Sequence, residues 1–213
     1  MTRVILASAS SGRRRVLRSA GIDPLIIVSG VDEDAVVASL PDDSGPGEIT
    51  NALATAKAAA VVQTLDAGLR VDSVVIGCDS MLYRDGRLWG KPGSEAATIA
   101  GWRSMAGTTG ELYTGHCVIR LRDDVITAQT TAHSVTSVDF GSPSAKDLSA
   151  YARSGEPTAV AGGFTIDGLG GWFVDGVIGD PSAVIGIGLP LVRRMFDLVG
   201  LSIADLWAEN PID

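Results

Sequence analysis

Apolar runs and turn residues alternate along the chain and predict a succession of strands and helices. Val4-Ile5-Leu6 reads as a short buried strand, 8–12 as a loop of small residues and 13–20 as a helix. A second strand is expected over 25–28, ending at Ser29-Gly30 and the acidic Asp32-Glu33-Asp34. The stretch Pro41-Asp42-Asp43-Ser44-Gly45-Pro46-Gly47 is the clearest loop, and 48–65 behind it carries apolar residues at helical spacing. Val74-Val75-Ile76-Gly77 has the continuous apolar character of a central strand. A hairpin is expected where Met81-Leu82-Tyr83 and Arg87-Leu88-Trp89 flank Arg84-Asp85-Gly86. Residues 94–105 read as a helix with Ser94 as N-cap. Two long strands follow over 113–122 and 125–139, joined at Asp123-Asp124, then a helix over 142–153. A glycine-rich tract occupies 162–188, and a last helix begins near Leu191. This alternation predicts an α/β fold, and no linker long enough to separate domains interrupts 1–213, so a single domain is expected.

Composition narrows the function classes. With 46% hydrophobic and 20% charged residues over 213 positions, the chain can build a sizeable core without disulfide or metal staples. The net charge of -8 disfavours a general nucleic-acid binder, which would carry a basic stripe, but leaves room for a small phosphorylated ligand. Two cysteines, Cys78 and Cys117, and two histidines, His116 and His133, form neither a disulfide framework nor a zinc site. The N-terminal apolar run is too short for a secretory signal, and no stretch approaches the ~20 apolar residues of a membrane span. A cytoplasmic protein without a membrane partner is expected.

Five places carry candidate chemistry. In Ser8-Ala9-Ser10-Ser11-Gly12-Arg13-Arg14-Arg15, small residues before a helix start suit an anion, with hydroxyl donors and an arginine fork. The alternative is a helix cap by Ser10 or Ser11 with solvated arginines. Steps of 100° put Ile49, Leu53, Ala56 and Ala60 on one helix face with Lys57 at its edge, either reaching over a cleft or snorkelling. Asp79 in Gly77-Cys78-Asp79-Ser80, at the end of an apolar strand, suits a general base or metal ligand, or ends the strand in an Asx-turn. Gly90-Lys91-Pro92 offers a further cation but is no Walker loop, since Asp85 replaces the first glycine and proline follows the lysine. Asp32-Glu33-Asp34 is either a metal-facing group or an exposed acidic loop. The glycine tract holds no complete dinucleotide fingerprint, which leaves a nicotinamide-dependent oxidoreductase poorly supported. Cations, an anion-binding helix start and an acid together fit metal-assisted attack of water on a polyphosphate.

In order along the chain, Leu6-Ala7-Ser8-Ala9-Ser10-x-x-Arg13, Lys57, Gly77-x-Asp79-Ser80 and Gly90-Lys91-Pro92 resemble the Maf family of nucleoside triphosphate pyrophosphatases, once described as septum-formation inhibitors. The tract from Ala161 to Gly170 and Gly188-Leu189-Pro190-Leu191 resemble its C-terminal motifs. The resemblance implies an elongated mixed sheet flanked by helices, with two lobes around a central cleft, often as a homodimer. It implies hydrolysis of a nucleoside triphosphate between the α- and β-phosphates, with Mg2+ or Mn2+ required, extending to clearance of non-standard nucleotides. By position, Asp79 would activate water, Lys57, Lys91, Ser8, Ser10 and Arg13 would hold phosphate, and Glu33 would face the metal. Ser80, Asp167 and Gly12 occupy positions linked to base choice. The subgroup acting on dTTP and UTP resembles Arg, Thr and Gln at positions 12, 80 and 167; the subgroup acting on 7-methyl-GTP has Trp at the first and Glu at the last. This sequence matches neither set. A carboxylate at Asp167 only accepts hydrogen bonds, which suits a donor-rich edge such as guanine. Ser11 stands where the family usually has proline, and 107–111 lacks a histidine often found there. The other reading is a nucleotide-binding regulator of cell division with negligible turnover, which would have no need of Asp79 as a base.

Overall fold

The computed structural model describes residues 1–210. The chain opens with β1 (Arg3–Leu6), α1 (Ser11–Ser19), β2 (Leu25–Ile26), α2 (Glu33–Ala38), α3 (Pro46–Thr64) and α4 (Ala67–Arg70). It continues through β3 (Asp72–Arg84), β4 (Arg87–Trp89), α5 (Glu95–Met105), β5 (Thr109–Arg122), β6 (Val125–Phe140) and α6 (Ala145–Arg153). Short 3-10 turns then lead to β7 (Val174–Ile178), α7 (Pro181–Ile185), α8 (Leu189–Leu198) and α9 (Ile203–Glu209). The strands make a seven-stranded sheet in the order β2-β1-β3-β5-β6-β7, with β4 on β3. It is mixed: β1 runs parallel to β2 and β3, whereas β3/β4 and β6/β7 are antiparallel. The expected mixed α/β sheet flanked by helices is therefore what the chain forms.

Two compact units divide these residues. The first comprises Met1–Asp79, Thr114–Ser134 and the chain from Gly186 on. Its core packs α3 against the sheet through Ala54, Ala58, Val61, Ile5, Val75 and Ile119. Two glycines set how close that helix lies. A Cβ on Gly77 would run into the Ala54 carbonyl and Ala58, and one on Gly115 into the Thr50 backbone. Strand glycines here serve close approach of a backbone, not a turn. The β5–β6 hairpin turns on Asp123 and Asp124, both with positive φ (49° and 66°), as a two-residue turn of this hand demands.

The second unit comprises Ser80–Tyr113 and Val135–Ile185. Trp102 on α5 anchors it, 1% exposed, meeting Phe140, Tyr151 and Phe173 edge-on at 5.7, 6.0 and 6.0 Å and donating to the Gly163 carbonyl at 2.8 Å. The expected hairpin is present, with Asp85 (φ 51°) and Gly86 (φ 74°) between β3 and β4. Ser94 caps α5 as predicted, its side chain accepting from the Ala97 N–H.

Several boundaries differ from the sequence reading. β3 does not stop near Gly77 but continues to Arg84, because Leu82, Tyr83 and Arg84 pair with β4. Strand 25–28 shrinks to Leu25–Ile26. Asp32-Glu33-Asp34 is not a loop: Asp32 caps α2, accepting from the Ala35 N–H, and Glu33 and Asp34 occupy its first turn, where the helix dipole favours them. β7 lies hidden in the glycine tract, and α9 follows the expected last helix.

Candidate active site

β1 and β3 run side by side in register, Leu6 opposite Ile76, so the residues leaving β1 reach the level of Cys78 and Asp79. Ser8 is buried there. Its Oγ accepts from the Ser10 N–H at 3.1 Å and from Arg13 Nη1 at 3.0 Å. Ser10 caps α1, its Oγ accepting from the Arg13 N–H at 3.3 Å, which settles the cap on Ser10 and not Ser11. The serine caps, and Arg13 turns back over the loop instead of into solvent. Arg13 Nε also donates to the Gly186 carbonyl at 2.9 Å.

Lys57 corrects the helical-wheel expectation. The buried residues of α3 include Thr50, Leu53, Ala54, Lys57, Ala58, Val61 and Val62, so Lys57 lies in the middle of the buried face, not at its edge. Ile49, Ala56 and Ala60 are only half-buried. The helix is alanine- and valine-rich on every side, so spacing alone could not pick the face. Its Nζ meets Asp79 Oδ1 at 2.6 Å and Glu33 Oε1 at 2.7 Å. The side chains of Lys57 and Asp79 are only 10% and 8% exposed; that of Glu33 is 43% exposed, within reach of a hydrated ion. Asp79 Oδ2 is buried with no hydrogen-bond partner among the described residues. A buried, unsatisfied carboxylate oxygen is costly, and its natural partner is a water or a ligand. The Asx-turn reading falls away, because Asp79 sits inside β3. Gly77 makes the pair possible: it lies two residues from Asp79 on the same face and admits Ala54 and Ala58, which bracket Lys57.

Cys78 shows the charge these groups create. Burial pushes its thiol up to about 12, the positive charges of Arg13 and Lys57 pull it down, and Asp79 adds to the rise. Cys117 is likewise raised by burial, against hydrogen bonding to Thr131 and Thr55. Both thiols are free and buried.

Three further candidates lie in the second unit. Ser80 follows Asp79 on β3 and is half-buried. Lys91 is exposed just after β4, beside a cavity of about 210 Å³ lined also by Arg84, Trp89 and Pro92. Asp167 is exposed in the tract between Phe164 and Gly170. The structure thus brings Ser8, Ser10 and Arg13 to one end of β1, and Lys57, Asp79 and Glu33 into direct contact. Gly12 is half-buried in the first turn of α1.

Two residues that sequence reasoning passed over organise these segments. Glu156 accepts from Thr165 Oγ1 at 2.5 Å and from the N–H groups of Leu169 and Gly170, each at 3.0 Å, closing the tract that carries Asp167. Glu156→Gln halves its accepting capacity and is expected to destabilise the protein by about 1–3 kcal/mol; denaturant unfolding with an unchanged midpoint would remove this role. His116 is fully buried, and its Nε2 accepts the Gly188 N–H at 2.9 Å. Burial, with Arg13 adding to it, pushes its pKa down to about 3, against backbone hydrogen bonding at Thr114 and Ala132.

That depression carries a sign. The unfolded chain takes up the His116 proton near the ordinary 6.5, so the native state loses stability as pH falls from there toward 3. The slope is at most about 1.4 kcal/mol per pH unit. Comparing unfolding free energies at pH 7 and pH 5, His116→Gln should show the shallower loss; equal losses in both proteins would refute it.

A family model described as Maf-like protein matches residues 3–199. A protein of Mycobacterium sp. (strain JLS) named nucleoside triphosphate pyrophosphatase is 60% identical over 98% of this chain and 99% of its own. Proteins of the same name from Mycobacterium leprae (strain Br4923) and Nocardia farcinica are 56% and 55% identical, covering 100% and 96% of both chains in each case. Among solved structures, the Staphylococcus aureus Ham1 protein is similar at a TM-score of 0.38 and 15% identity, over 66% of this chain and 72% of that one. Matched across nearly its whole length, and more than half identical to full-length relatives, the chain belongs to the Maf family.

Proposed function

We propose that this protein is a hydrolase that cleaves nucleoside triphosphates between the α- and β-phosphates, releasing a nucleoside monophosphate and pyrophosphate. The observation that carries the reading is Asp79: one oxygen is held by Lys57 at 2.6 Å, and the other is buried and without a partner among the described residues. A water seated on Oδ2 would give up its proton there as it attacks the anhydride. Lys57 holds the carboxylate and aims it, and Arg13, Ser8 and Ser10 offer donors to phosphate oxygens. A nucleotide-binding regulator without turnover has no use for such a carboxylate.

A divalent cation, Mg2+ or Mn2+, fits this donor set. No group of three or more His, Cys, Asp or Glu among the described residues could hold an ion. Mg2+ characteristically takes one or two carboxylates and completes its shell with waters and substrate phosphates. Glu33, partly exposed beside Lys57, is the carboxylate to hold it. Such an ion would neutralise charge on the triphosphate. Lys91 would bind phosphate, and Ser80 and Asp167 the base, with guanine-like edges favoured by an acceptor-only Asp167. No helix among the described residues is long and apolar enough to cross a membrane. A cytoplasmic homodimer that acts on free nucleotides, non-standard ones included, and not on nucleic acid completes the proposal.

The test is pyrophosphate release from a panel of canonical and modified nucleoside triphosphates, with Mg2+ or Mn2+ and with chelator. Equimolar pyrophosphate and monophosphate, abolished by chelator, is the expected result. Release of single phosphates would overturn the bond assignment, and tight nucleotide binding without turnover would favour the regulatory reading.

A further inference from the structure

We propose that His116 is a positioning residue that aims Arg13 at the substrate phosphates, acting through the segment Gly186-Ile187-Gly188. The proposal rests on the reading of Arg13 as a phosphate ligand.

The connection is continuous. His116, on β5, has no exposed surface and accepts the Gly188 N–H on Nε2 at 2.9 Å. An acceptor at Nε2 leaves the ring proton on Nδ1, so the imidazole is the neutral tautomer. Two residues back, the Gly186 carbonyl accepts from Arg13 Nε at 2.9 Å. Between them Ile187 is fully buried. Arg13 Nη1 then donates to Ser8 Oγ at 3.0 Å. Two edges of the guanidinium are thus directed by the protein, one by a serine hydroxyl and one by a carbonyl that His116 holds in place.

Gly186 shows how tight the arrangement is. It adopts φ +129°, a conformation that L side chains rarely reach, and a Cβ there would sit 3.1 Å from Arg13 Cγ and 3.2 Å from Nε. The carbonyl that receives Arg13 therefore comes from a backbone shape few residues can supply. Holding that shape requires an anchor, and the buried imidazole provides it. An arginine on a short helix, reaching back over its own loop, would otherwise sample several rotamers, and ordering it beforehand spares that entropy on binding. A charged histidine could not accept the Gly188 N–H, so this role needs the neutral ring that burial beside Arg13 enforces.

The test compares His116→Gln, whose amide oxygen falls near the place of Nε2, with His116→Asn, whose shorter side chain leaves Gly188 without an acceptor. His116→Asn should lower kcat/KM for pyrophosphate release by about 10- to 100-fold, the usual cost of losing a group that orients a ligand. His116→Gln should recover most of that loss. In an Arg13→Ala background, His116→Asn should add nothing further, since a purely structural histidine would act independently of Arg13. Additive losses in this cycle, or equal losses in both His116 variants, would overturn the proposal.

A second readout does not depend on turnover. The Arg13 Nε–H should be visible by NMR and slow to exchange in the wild type and His116→Gln, and fast to exchange in His116→Asn. Fast exchange in the wild type overturns the positioning role even if every variant at 116 unfolds. Slow exchange in a wild type that releases no pyrophosphate would instead leave the strut standing and remove the hydrolytic reading.

Discussion

Asp79→Asn is expected to lower kcat for pyrophosphate release by about 100- to 10,000-fold, the range a positioned general base contributes. The substitution is close to isosteric. Its amide oxygen can still accept from Lys57 Nζ, and Glu33 remains as a counter-charge at 2.7 Å. The stability cost should therefore stay near 1–3 kcal/mol, about that of weakening one charge-assisted hydrogen bond. What is lost is the proton-accepting capacity of the buried Oδ2. KM should change little, because the groups proposed to bind phosphate, Ser8, Ser10 and Arg13, are untouched. Steady-state kinetics with a magnesium nucleotide check this. Wild-type kcat in a folded Asp79→Asn variant would show that another group activates the water.

The second large effect belongs to Lys57→Met. Methionine keeps the buried aliphatic stem but removes the charge that joins Asp79 and Glu33. Two carboxylates then face each other with no cation between them, one of them buried. Loss of an electrostatic partner of the transition state costs about 100- to 1,000-fold in kcat. Breaking a buried ion pair from one side also destabilises, by about 3–5 kcal/mol, so unfolding should be measured in parallel. Removing both partners separates the two contributions: Lys57→Met combined with Asp79→Asn should recover much of the lost stability and none of the activity. A variant with unchanged kcat/KM would make Lys57 a core residue and nothing more.

What could be read from the sequence depended on how local the cause was. Asp85-Gly86 and Asp123-Asp124 dictate their hairpins by positive φ, and Ser94 caps α5 by one side-chain hydrogen bond. Each is complete within a few residues. The loop that joins Ser8, Ser10 and Arg13 was legible for the same reason, since its hydrogen bonds link neighbours in the chain. Lys57 was legible as a residue but misplaced on its helix, because an alanine-rich helix has no dominant apolar stripe. Its true face is set by Gly77 and Gly115 on other elements. Asp79 was expected at a strand end, and only the pairing of Leu82 with Trp89 shows that β3 continues past it. Asp32 did carry a readable cap signal, an acceptor followed by Glu33 and Asp34 in a first helical turn, that the acidic-loop reading passed over. Nothing local marked His116 or Glu156: their partners lie 72 and up to 14 residues away.

The two cysteines have a practical consequence. The whole chain has only Cys78 and Cys117; both are buried, and both thiols are held in the protonated form by burial. Thiolate, not thiol, reacts with maleimides and iodoacetamides. The native protein should therefore present a blank background to such reagents. A cysteine introduced on the exposed tract near Asp167 would be the single fast-reacting group, ready to carry a fluorophore whose response to added nucleotide tests the proposed role of that tract in real time.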